Sequence, residues 1–447
     1  MKPCFSLSGY FLIGLCLWFF AGCAPRPQAP PTSTGVARAW AEMTLRVTRF
    51  TPANSPTFAS RALGYIGLTM YETVVPGYPD HQSLAGQLNG LDSLPQAPAA
   101  CDWTLALNAG QAAILRHIYQ QAPDSNRRQV DSLEALIYAH YARQAGDTAL
   151  AARSAAWGRA VAEAIFQWSR TDSGHRGYLR NFDKTWHGPE RPGSWRPPLF
   201  AQSFSHHPLH PHWGQNRTFL AQNAQIPTPE MIPYDTAKTS AYYQQFLQVY
   251  EKDKTLTQAE KEAALWWGDD PGETFTPPGH SYHLATLALR KTQPELIIWA
   301  ETYARVGLAV ADAFINCWKW KYHYFSERPN TFIPKQIDIA WESFWPDPPF
   351  PAFPSGHAIQ SAAAAVVLED LFGKNFAFTD SAHVGRPRDE QRDTDFKPRS
   401  FNSFWEVAVE TANSRFYGGI HTPQDNQAGQ DAGVVIGKNV NGLGWKR

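Results

Sequence analysis

The chain has 447 residues, 43% hydrophobic and 18% charged, which supplies a sizeable core and excludes a disordered chain. Forty Lys and Arg balance 40 Asp and Glu, so nucleic acid is excluded as a default partner, because backbone binding needs a net or clustered positive face. Five cysteines are too few for a disulfide scaffold.

Residues 1–22 read as a signal peptide. Lys2 gives a positive start, and Phe11 to Ala21 is apolar but shorter than the roughly 18–20 residues of a membrane span. The run ends Phe20-Ala21-Gly22-Cys23, which resembles a bacterial lipobox. That resemblance implies lipidation of Cys23, with an ordinary signal peptide as the alternative. Acyl chains would anchor the protein in the bacterial cell envelope, facing the periplasm or the surface. Residues 23–35 are Pro-rich and read as a tether. Cys101 and Cys317 then remain, either as isolated buried thiols or as a pair in an oxidising compartment.

Apolar residues at three-to-four spacing predict helices over Val36–Phe50, Ser55–Val75, Trp103–Gln121, Arg127–Gln144 and Asp147–Thr171. Residues 172–235 change to Pro, Gly, His and aromatics and read as a long ordered loop, a common place for function. His206, His207, His210 and His212 lie in it at spacings that suit no defined metal geometry. Helices resume over 236–252, 257–268, 281–290 and 294–325, with 268–280 (GDDPGETFTPPGH) as another loop. Asp269, Asp270, Glu273, His280 and His283 are read as candidates for a site mouth or as loop caps. The charged 379–400 segment reads as an exposed loop. No repeat or linker interrupts residues 36–447, so the expectation is one large all-α domain.

Three motifs carry chemistry. In the first, Trp318 precedes Lys321, and Arg328-Pro329 follows seven residues after the lysine. Two helical turns would put both cations on one face, although Pro329 disfavours helix at Arg328. The second, Phe353-Pro354-Ser355-Gly356-His357, opens an Ala-rich helix. A helix N-terminus offers free N–H groups and a positive dipole end to an anion. Ser355 can donate its hydroxyl, Gly356 lets the backbone approach, and His357 is placed for acid–base work. In the third, a helix over Phe404–Tyr417 carries Arg415 and is followed by His421-Thr422-Pro423-Gln424-Asp425. Asp425, four residues on, can accept one ring N–H of His421 and leave the other nitrogen's lone pair for a ligand.

Together, Lys-x6-Arg-Pro, Pro-Ser-Gly-His and Ser-Arg-x5-His-x3-Asp resemble the vanadium-dependent haloperoxidase and type 2 phosphatidic acid phosphatase superfamily. The resemblance implies a large helical-bundle fold with its active-site core at about 294–440. Lys321, Arg328 and Arg415 would bind the oxygens of vanadate or phosphate, with Ser355 and the Gly356 amide completing the cradle. His421 would be the vanadium ligand, or the nucleophile toward phosphorus. His357 would be the acid–base residue, and Asp425 would orient His421. Trp318 and Phe350 match halide-pocket positions of the chloroperoxidases.

Two chemistries stay open on these residues. A haloperoxidase would use bound vanadate, hydrogen peroxide and halide. An acid phosphatase would hydrolyse a phosphate ester through a phosphohistidine. A non-catalytic oxyanion-binding lipoprotein is the third reading. The sequence sets neither the halide nor an oligomeric state.

Overall fold

The computed structural model describes residues 32–198 and 205–447. The expected signal peptide, Cys23 and all but the end of the tether lie outside the described residues. The first half folds as α1 (Ser33–Phe50), α2 (Pro56–Val74), α3 (Trp103–Ile118), α4 (Asp124–Ala145) and α5 (Thr148–Ser169). The second half adds α6 (Ala241–Asp253), α7 (Gln258–Trp266), α8 (Thr276–Thr292) and α9 (Leu296–Tyr324). Then come α10 (Pro329–Gln336), α11 (Gly356–Phe372), α12 (Phe404–Tyr417) and α13 (Pro423–Asn441). The starts follow local chemistry. Asp102, Asp147, Ser240 and Ser403 each cap a helix by accepting backbone N–H bonds, and Ser55 does so ahead of Pro56.

α9 is the axis of the bundle and is buried over almost its whole length. It crosses α2 at backbone contact: a Cβ at Gly307 would lie 2.5 Å from the Leu63 carbonyl, and one at Gly67 would collide with the Tyr303 carbonyl. A second close pair positions the site. Gly429, Gly433 and Gly437 form a stripe on α13, where any Cβ would run into the backbone or side chains of α11. This contact holds the N-termini of α11 and α13 side by side, and the Ser355 amide donates to the Asp425 carbonyl at 2.9 Å. No described helix is long and apolar enough to cross a membrane.

Three expectations need correction. α9 stops at Tyr324, and Phe325 turns left-handed at φ +51°. Arg328 is therefore extended backbone at the N-cap of α10, not the far end of a helical face shared with Lys321. α8 begins at Thr276, inside the stretch read as a loop. Its two prolines sit in the first turn, where no amide donor is needed, so they do not break the helix. The 379–400 segment is not simply exposed. Phe378–Asp380 (β1) pairs antiparallel with Arg399–Phe401 (β2), and Asp380, His383 and Thr394 are buried. Cys101 and Cys317 are free thiols.

Candidate active site

Lys321 is fully buried at the end of α9, and its ammonium donates to the Pro351 and Ala352 carbonyls at 2.7 and 2.6 Å. Arg328, also buried, donates to the carbonyls of Phe350 at 2.9 Å and Ile420 at 2.7 Å. Arg415 reaches in from the last turn of α12, and one of its terminal nitrogens donates to the Trp267 carbonyl at 2.5 Å. Its Nε and other terminal nitrogen are buried with no partner. Among the described residues, none of the three cations pairs with a carboxylate in hydrogen-bond contact; their partners are neutral carbonyls and, for Arg328, the His421 ring.

Burial therefore works against the charges. It pushes Lys321 down to about 7 and Arg415 down to about 10, and it lowers Arg328. The nearest acids give limited relief. Asp347 acts on Arg328 and Asp270 on Arg415, but burial pushes both acids up to about 7. The result is a buried surplus of positive charge, which is costly unless an anion neutralises it.

Two histidines face that charge. His421 Nδ1 lies 3.1 Å from Asp425 Oδ2, which also accepts the Thr422 amide at 2.9 Å. The carboxylate assigns the ring proton to Nδ1, so Nε2 keeps its lone pair, 3.4 Å from an Arg328 nitrogen. Burial, then Arg328, Lys321 and Arg415, hold His421 far below the ordinary imidazole range. His357 follows Ser355 and Gly356 in the first turn of α11, with its Nε2 buried and unpartnered. Burial and Arg415 keep its ring neutral as well. Ser355 caps α11, its hydroxyl accepting the Ala358 amide at 3.4 Å and keeping its own proton to donate.

A cavity of about 410 Å³ opens onto Gly356, His357 and His421. Trp318 and Phe350 form part of its wall, their ring centroids 4.9 Å apart. Pro52, Phe182, Leu209 and Phe314 make much of the rest apolar, with Asp269 and Asp270 on the rim of charge. Ser355 and the three cations lie behind this lining. Arg328 and Lys321 back the Phe350 ring at 5.2 and 5.3 Å from its centroid. A Cβ at Gly356 would meet nothing closer than 3.7 Å, so neither packing nor backbone strain requires glycine there. A side chain would instead intrude on the cavity floor.

The fold recurs in solved proteins. A structure described as the first bacterial vanadium-dependent iodoperoxidase is 30% identical, superposes with a TM-score of 0.81, and the match covers 92% of this chain and 96% of that one. The chain belongs to the vanadium haloperoxidase superfamily. Its fold is also that of a holo-type bacterial vanadium-dependent chloroperoxidase, at TM-score 0.68 and 17% identity over 92% of this chain and 95% of that one. The apo-type bacterial chloroperoxidase matches at TM-score 0.66 and 15% identity, over 87% and 93% of the two chains. Residues 335–443 match the family model for the VCPO second helical-bundle domain. No curated protein matches the chain.

In this haloperoxidase-type fold, Lys321, Arg328, Arg415, Ser355, Gly356, His357, His421 and Asp425 gather at one place. The histidine-rich loop does not. His210 is spent on Thr57 at 2.5 Å and Gly177 at 3.0 Å, while His212 pairs with Asp183 at 3.3 Å. The Trp267 carbonyl and the carbonyls of residues 350–352 crown the cations, and backbone groups of this kind carry no side-chain signal in the sequence. Asp380 and His383, which bond His280 and Asp269, lie in the charged segment whose composition points to solvent. The Asp269-Asp270 doublet was the available pointer, and both residues do reach the cavity.

Proposed function

We propose that this protein is a vanadate-dependent haloperoxidase, with His421, Lys321, Arg328, Arg415, Ser355 and Gly356 holding the oxyanion and His357 as its acid–base residue. One observation carries the reading: three buried cations converge without an ion-pair partner beside two neutral histidines, each with a nitrogen left over. The donor set fits vanadate. Unpartnered Arg415 nitrogens, a hydroxyl, helix-terminal amides and open space beside Gly356 suit a small multivalent oxyanion.

Vanadate, when bound, supplies a Lewis-acidic centre that activates hydrogen peroxide toward halide. The chain's own groups do the rest. Lys321, Arg328 and Arg415 are buried and oppose the negative charge at the inner end of the cavity. His421 presents its Nε2 lone pair, and Asp425 fixes the tautomer. His357 Nε2 is free to take a proton from peroxide entering through the cavity and to return it. Trp318 and Phe350 give a halide a desolvated wall. Iodide is the first halide to assay, on the activity printed for the 30% identical relative. Lipid anchoring at Cys23 in the cell envelope belongs to the same proposal and rests on residues 1–35.

The test is a titration of oxyanion-free protein with orthovanadate, assayed for peroxide-dependent halide oxidation and for phosphate-ester hydrolysis. Oxidation that rises and saturates with vanadate is expected. Hydrolysis by the oxyanion-free protein that vanadate quenches would make it a phosphatase instead.

Two further results follow from the charges. Arg415→Ala removes donors that have no other partner, so vanadate affinity should fall about 10- to 100-fold, at roughly 1.5–3 kcal/mol per charge-assisted bond. Equilibrium binding measures it, and affinity within twofold of wild type would remove Arg415 from the site.

The second concerns pH. Lys321 titrates near 7 without an anion, and a bound anion must raise that value. Binding therefore takes up a proton above about pH 7. Affinity should decline as pH rises through 7 to 9, by at most about tenfold per unit. Calorimetry in buffers of different ionisation enthalpy reads the net proton, orthovanadate's own ionisation included; wild type should take up more than Lys321→Met, and equal values for the two would contradict it.

A further inference from the structure

We infer that His280 is a positioning residue of the oxyanion site: it bonds Asp269 through one ring nitrogen and Asp380 through the other, and so locks the 266–270 segment that aims Arg415. The inference rests on the oxyanion reading above and extends it to residues outside the three motifs.

His280 is buried in the second turn of α8. Its Nδ1 lies 2.7 Å from Asp269 Oδ2 and its Nε2 2.8 Å from Asp380 Oδ2. Ionised carboxylates only accept, so both ring nitrogens must donate and the ring is an imidazolium. Burial pushes it toward neutrality, but Asp269 and Asp380 outweigh burial and hold it up near 10. The same contacts hold both carboxyl groups below the ordinary range against their own burial. The other titratable groups in this cluster are His383 and His283. His383 Nε2 donates to Asp269 Oδ1 at 3.0 Å. His283, on the same helix, lies 3.6 Å from Asp380 and is pushed down to about 4 by burial.

The consequence lies in the segment between α7 and α8. Asp269 sits at φ +49°, in the left-handed region that Asp tolerates better than most non-glycine residues, and its bonds to His280 and His383 fix it there. Asp380 also accepts the Trp266 indole N–H at 2.9 Å, and the Trp267 ring packs 4.6 Å from the His280 ring. Trp266 and Asp269 are thus tied to one imidazolium. Between them, the Trp267 carbonyl takes one nitrogen of Arg415 at 2.5 Å and leaves its others free for an anion. Losing the tie would let that carbonyl drift and the guanidinium with it.

The experiment is vanadium NMR titration of orthovanadate into purified oxyanion-free protein, with metal analysis of the same preparations. His280→Gln should lose about tenfold in vanadate affinity, the usual scale for a residue that orients a ligand-holding group. The loss should vanish in an Arg415→Ala background, because His280 acts through Arg415. It should persist in full with Lys321→Ala, which sits on another element. Asp380→Asn keeps the Asp269 bond and serves if His280→Gln does not fold; the same non-additivity with Arg415→Ala is expected. Wild-type affinity in the variant that folds, or an equal loss with and without Arg415, would overturn the inference. A stoichiometric divalent metal removed by chelation together with vanadate affinity would also overturn it, since ring nitrogens donating to carboxylates cannot ligate. Wild-type protein that binds no vanadate overturns the oxyanion reading itself.

Discussion

His421→Ala is expected to abolish vanadate-dependent halide oxidation, with turnover down about a thousandfold or more. The ring is placed from both sides. Asp425 holds Nδ1 at 3.1 Å, and burial together with the surrounding cations keeps Nε2 unprotonated. Among the described residues the nearest alternatives are committed elsewhere: Ser355 caps α11, and His357 lies in the first turn of α11, on another element from His421. The substitution leaves the Thr422–Asp425 cap of α13 in place, so the helix start should survive. Circular dichroism would check that the fold is retained. Steady-state oxidation of iodide at saturating vanadate is the decisive measurement, and retention of more than about a tenth of turnover would refute the assignment.

His357→Ala should separate binding from turnover. The ring is neutral and its Nε2 has no protein partner, so it contributes little charge to holding an anion. Vanadate affinity should stay within about threefold of wild type, while turnover falls about 10²- to 10⁴-fold, the range for losing a positioned acid–base group. The neighbouring cations enforce this division. Arg415 near His357 favours a base that is free at neutral pH over a resident acid. Normal folding with vanished vanadate affinity would make His357 part of the cradle, and the acid–base role would pass to another group.

Where chemistry depended on short spacing, the sequence was readable. His421 and Asp425 are four apart across a helix start, and their bond follows from that geometry alone. Ser355, Gly356 and His357 precede an Ala-rich run whose burial is set by composition, so a helix N-terminus at the site could be expected. Where chemistry depended on distant segments, it was not. Lys321 and Arg328 meet because the chain turns at Phe325, where seven-residue helical spacing would have given the same neighbourhood for the wrong reason. Asp380 and His383 looked like members of a solvated charged loop. They are buried because partners about 100 residues away in sequence, His280 and Asp269, satisfy them.

The sequence by itself thus determined a helical protein, the family resemblance, and which side chains to look for at the candidate site. Helical periodicity, cap chemistry and motif spacing are local, and local rules act on nearest neighbours along the chain. The tertiary structure alone decided how those side chains are charged and aimed. The Lys321 ammonium is pushed down to about 7 by burial, Arg415 is left with free donors by a carbonyl 148 residues away in sequence, and the Asp269 carboxylate is fixed by two histidines. Desolvation and long-range hydrogen bonds set those properties, and both arise only when segments remote in sequence are packed together.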